Sequence, residues 1–212
     1  MKLLVGFVIA TVLMGSAFAA GSSKSLFIPE SKQFSATGKK RMTTVSAISP
    51  STLVEEGEKS GIKYRFYHSD GSGTVAGDAD NDISYLRARP SNWSLSCKQD
   101  PMNDRRSCSA ERGDLFLYYS GGGTYFVGIS GSKYPGSSIS VRVDDGKVIS
   151  ASESNGFSAA QSKAILNSIK PGSKLATRYV DWPYQTNEDT VSNVYGTDVV
   201  LDYLKWAAEA DK

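Results

Sequence analysis

Trp93-Ser94-Leu95-Ser96-Cys97, followed after ten residues by Cys108, is the stretch on which the reading of this chain turns. Large apolar side chains alternate with serines, the period-two pattern of a strand with one buried face, so Trp93, Leu95 and Cys97 should point into a core. Ser107-Cys108-Ser109-Ala110-Glu111 alternates in the same way and puts Cys108 and Ala110 on one face. The polar stretch from Lys98 to Ser107 joins the two runs. A bridge between Cys97 and Cys108, the only cysteines, is geometrically feasible and would stabilise the fold by roughly 3 kcal/mol through loop closure. A redox or metal role fits less well, because the spacing is not C-x-x-C and His68 is the only histidine.

Downstream, Leu115 to Tyr119 and Thr124 to Ile129 are aromatic and β-branched runs separated by Gly121-Gly122-Gly123, as in a hairpin. The glycines lack the Lys-Ser/Thr that follows in a phosphate-binding loop. Ile139, Val141 and Val143 alternate with Ser140 and Arg142, and Asp145-Gly146 offers a tight turn before Lys147 to Ala151. The adjacent acids Asp144 and Asp145 suit turn chemistry better than paired carboxylate catalysis. Ser158-Ala159-Ala160-Gln161 is a capping box, and Pro171-Gly172 stops the helix it opens. Lys174 to Val180 and Thr190 to Tyr195 read as strands. Thr197 can cap a last amphipathic helix from Asp198 to about Ala210, with Val200, Leu204 and Ala207 on its apolar stripe. The expected fold is mainly β, an antiparallel β-sandwich or open barrel with two short packing helices.

At the other end, Lys2, the apolar stretch Leu3 to Met14 and Ala17-Phe18-Ala19 have the form of a cleaved secretory signal over residues 1–19. The stretch is well short of the roughly 20 residues that span a bilayer core. The mature chain would begin at Ala20 and keep 193 of the 212 residues, enough for one domain. Residues 20–61 read as a partly irregular extension, with Pro50 to Glu58 a short helix capped by Ser49. Residues 62–212 read as the β-rich domain. Without Lys2 the chain carries 23 basic and 22 acidic side chains, a balance that argues against nucleic acid as partner.

The order Trp-x-Leu-x-Cys, second Cys, aromatic hairpin, Ile-x-Val-x-Val-Asp-x-Gly, and a helix running into Ser-Ile-Lys-Pro-Gly-Ser resembles the invasion-associated locus B family. The resemblance covers residues 92–212, with Trp93, Cys97, Cys108, Val143-Asp144, Gly156, Ala159, Lys170, Gly172 and Gly196 as its best-marked points. It implies a small exported bacterial protein with a β-rich domain, linked in some pathogens to host-cell entry, with no established catalytic residues or cofactor. Family members often carry a second cysteine pair before the penultimate helix. Here Phe157 stands in the place of the second thiol, which would substitute apolar packing for a staple.

Motifs for chemistry are sparse. Gly77-Asp78-Ala79-Asp80-Asn81-Asp82 imitates the start of a calcium loop, but Ile83 replaces the glycine and Arg89 the distal bidentate acid, so Asp78, Asp80 and Asp82 should form no tight calcium site. His68-Ser69-Asp70 contains triad residue types, yet adjacent residues cannot face one another as nucleophile, base and orienter. His68 reads as a surface or structural histidine. Gly128-Ile129-Ser130-Gly131-Ser132 is not a nucleophile elbow.

The expected role is binding, without a cofactor, to an envelope or host component from the periplasm or cell surface. The alternatives are an exported hydrolase with a carboxylate-based site and a structural envelope protein without a specific ligand. The candidate partner surface is Arg178, Tyr179, Trp182 and Tyr184, since aromatics and arginine are enriched at interface hot spots and Pro183 should break the strand. The competing reading continues the period-two alternation and sends Val180 and Trp182 into the core.

Overall fold

The computed structural model of the chain describes residues 41–45, 52–68, 70–84, 91–119 and 121–209. The proposed signal segment and residues 20–40 lie outside them. Eight strands pair antiparallel in sequence order: β1 (Arg41–Val45), β2 (Thr52–Lys59), β3 (Ile62–Tyr67), β4 (Gly73–Val75), β5 (Trp93–Gln99), β6 (Arg106–Arg112), β7 (Leu115–Tyr119) and β8 (Tyr125–Ile129). A second sheet holds β9 (Ser138–Val143), β10 (Ile149–Ser152), β11 (Ser173–Val180) and β12 (Asn187–Val194) in the spatial order β10-β9-β11-β12. Helices α1 (Ala159–Ser168) and α2 (Thr197–Glu209) complete a mainly β sandwich.

Alternation decides which face of each strand is inside. Trp93, Leu95 and Cys97 are buried while Ser94, Ser96 and Lys98 are exposed. Cys108, Ala110, Leu115, Leu117 and Tyr119 continue the same buried face across β6 and β7. Cys97 and Cys108 are register partners, and their sulfur atoms form a disulfide at 2.06 Å. The Trp93 indole Nε1 donates to the Tyr195 carbonyl at 2.8 Å, so the one polar atom of this buried ring is satisfied. Ile139, Val141, Val143 and Leu175 line the inner face of the small sheet and join one core with the larger sheet and both helices. Phe157 is buried in that core.

Of the helix expected over Pro50 to Glu58, residues 52–58 are strand instead; Pro50, Ser51 and the proposed cap, Ser49, lie outside the described residues. Val54 to Lys59 pair with β3, and Val54 and Glu55 are buried. Gly57 would cost a helix interior about 1 kcal/mol relative to alanine. In the sheet it makes room for Tyr64, whose Oη would lie 2.5 Å from a Cβ at that position. The sheet thus extends back to Arg41, and the boundary at residue 62 falls between two paired strands.

The capping box forms as read: Ser158 Oγ accepts from the Gln161 amide, and the Gln161 side chain accepts from the Ser158 amide. Thr197 is not a cap but the first helical residue of α2, preceded by Gly196 at φ +71°. The Gly196 carbonyl accepts from the Val200 amide and opens the helix. α2 packs on β5, β6 and β7, with Tyr203 and Trp206 against Phe66. Arg106 reaches from β6 to the Ala207 carbonyl near the helix C-terminus, where a cation is favoured.

Candidate functional site: the outer face of the small sheet

Among the described residues, two places gather side chains with chemistry. The first is buried. Glu55 Oε1 accepts from Tyr64 Oη at 3.1 Å, and His68 Nε2 lies 3.1 Å from Glu55 Oε2. Glu55, Tyr64 and His68 are all buried, and Trp206 lies edge-on to the imidazole with centroids 6.1 Å apart. Burial, with the Glu55 charge second, pushes the Tyr64 phenol upward. His68 is therefore a buried histidine and not a surface one.

The second place is exposed. Inward Ile139 and Val141 on β9 leave Ser138, Ser140 and Arg142 facing outward. Register sets Ser140 beside Ser150 of β10 on one side and Arg178 of β11 on the other, with Asp189 of β12 beyond. The resulting row crosses all four strands. Ser140 and Ser150 share a hydrogen bond of 2.8 Å, and Arg178 grips Asp189 with Nε and one terminal nitrogen at 2.5 and 2.6 Å. The bidentate pair raises the Arg178 pKa and holds Asp189 below the usual carboxylate range, the direction opposite to that of a general acid at neutral pH. One row further from the aromatic turn, Val148, Arg142, Ala176 and Val191 line a groove of about 280 Å³.

At the near end the strand gives way to a turn. The Tyr134 amide donates to the Val180 carbonyl and the Trp182 amide to the Ser132 carbonyl, so residues 132–134 lie alongside 180–182. The Trp182–Pro183 peptide is cis. Trp182 is 50% exposed and Tyr184 74%, which decides against the core reading of Trp182. The Tyr134 ring leans on Trp182 with centroids 5.3 Å apart, and Gln185 donates to Tyr134 Oη at 2.8 Å. Between this turn and the Ser140–Arg178 row lies an open depression of about 620 Å³ lined by Ser137, Ser138, Ser150, Ser152 and Val180.

Of the four expected partner-surface residues, Arg178, Trp182 and Tyr184 are exposed on this face and its turn. Tyr179 departs: it is half-buried, and its ring lies so close to Gly131 that a Cβ there would be 2.7 Å from it. Alternation turns it away from Arg178, and burial pushes its phenol upward, with Asp114 adding to the effect. Sequence reasoning missed Tyr134, Gln185, Asp189 and the serines. A signal for the serines was present, since Ser138-x-Ser140 and Ser150-x-Ser152 alternate against apolar Ile139 and Ala151.

Two of the remaining motifs tie loops to neighbouring strands. Asn81 accepts from the Lys63 amide and donates to the Gly61 carbonyl, each at 2.8 Å, tying the acid-rich loop to the β2–β3 turn. The Asp144 carboxylate accepts from Ser173 Oγ and the Lys174 amide. Comparisons with protein-family models, curated proteins and solved structures find no match.

Proposed function

We propose that the protein is exported to the periplasm or cell surface and acts by binding an envelope or host partner, in the manner of the invasion-associated locus B type. The binding face is the outer surface of the small sheet together with the Tyr134–Trp182–Tyr184 turn. One observation carries the reading: two large aromatics, Trp182 and Tyr184, stand out from the fold beside an arginine fixed by its carboxylate partner. Large, rigid aromatic side chains yield contact area at little conformational cost, which is why they dominate hot spots. The signal-like amino terminus and the disulfide support export. Among the described residues no helix is long and apolar enough to cross a membrane.

Capture from the native envelope, with the mature protein as bait, tests this. The wild type should retain a partner that the Trp182→Ala/Tyr184→Ala variant loses, with both proteins melting at the same temperature. Equal retention by the two would sink the assignment of the face.

A further inference from the structure

We infer that the partner of this face is a carbohydrate chain, held by the Tyr134 and Trp182 rings and by the serine hydroxyls of β9 and β10. The inference rests on the binding role proposed above and names its ligand class. A pyranose presents C–H bonds on one face and hydroxyls around its rim. The C–H face suits the negative π surface of an aromatic ring, and the hydroxyls need partners that both donate and accept.

The face supplies both. At its end Trp182 is half exposed, with the half-buried Tyr134 ring tilted against it. Beside it the depression is lined by hydroxyls, each a donor and an acceptor. Neighbouring strands lie about 4.8 Å apart, so the polar row repeats at a regular spacing along which a linear polymer can lie.

Charge selects against other polymers. The two rows nearest Trp182 carry Ser152, Ser138, Val180 and Asn187, then Ser150, Ser140 and the Arg178–Asp189 pair, which cancels its own charge. Of the other cations, Arg142 and Lys174 lie further along the sheet from the turn, and Lys133 lies in the turn itself as a bridge partner of Asp181, so no basic stripe forms. A polyanion would need a concentrated basic stripe. A protein partner would need a larger dry centre than the groove over Val148, Ala176 and Val191.

The test treats the envelope fraction with periodate, which cleaves vicinal diols, before capture by the mature protein. Capture should be lost. Titration calorimetry with cellohexaose, xylohexaose and maltohexaose, all neutral and all bearing vicinal diols, should then show saturable binding to at least one. Trp182→Ala and Ser138→Ala should each weaken it by about tenfold or more without shifting the melting temperature. Capture that survives periodate yet still depends on Trp182 and Tyr184 overturns the carbohydrate and leaves the binding face standing. Saturable sugar binding that Trp182→Ala leaves unchanged overturns this site for it.

Discussion

Trp93 and Trp182 are the same residue type with opposite fates, and period-two alternation accounts for only one of them. Trp93 sits mid-strand, fully buried, with its indole nitrogen bonded; Trp182 lies beyond the end of β11, where residue 134 and Pro183 redirect the chain. Trp93→Ala should therefore cost about 3–5 kcal/mol, whereas Trp182→Ala should stay within about 0.5 kcal/mol of wild type in denaturant unfolding. A large loss for Trp182 would mean that its ring supports the fold. Gly196 gives a second contrast. Its φ of +71° and the Ala76 carbonyl, 2.5 Å from where a Cβ would stand, leave no room for a side chain. Gly196→Ala should cost at least about 1–3 kcal/mol by the same measurement. Nothing in the sequence pointed to the Ala76 carbonyl, because that contact is tertiary.

The β5–β6 hairpin was legible as an element because both of its strands alternate and both cysteines fall on the buried side. Its staple joins register partners across a separation of 11 residues. Replacing both cysteines with alanine should lower stability by about 2–3 kcal/mol while leaving the β circular dichroism spectrum in place. An unchanged midpoint in urea would show that pairing alone holds the hairpin. β2 was not legible: its acids and the preceding Ser-Pro imitate a helix start, and the deciding facts, burial of Glu55 and the fit of Gly57 to Tyr64, come from β3. The binding face was half legible for a related reason. Exposed aromatics can be read from a turn, whereas the cross-strand row of Ser150, Ser140, Arg178 and Asp189 exists only once register is set.

Across the whole molecule, buried phenols give the fold a pH dependence. Tyr125 is pushed up to about 12, chiefly by burial and then by Tyr119, Asp202 and Glu209. Tyr64, Tyr119 and Tyr203 are also raised, with burial the leading cause in each. An unfolded tyrosine ionises near pH 10, so above that pH the unfolded chain releases protons that the native state retains. Stability should be fully present below about pH 10 and decline toward about pH 12, less steeply in Tyr125→Phe. Urea midpoints at about pH 9 and about pH 11 check this; equal midpoints would contradict the burial of these rings.

The claim that joins fold to function is that the partner meets the outer face of the small sheet. Met102, 90% exposed in the β5–β6 connection, provides a control position on the other sheet. A photo-reactive amino acid placed at Tyr184, or separately at Met102, reports contact directly when irradiated with the captured partner. Cross-linking from position 184 and none from 102 is the expected result; cross-linking from 102 and none from 184 would contradict it.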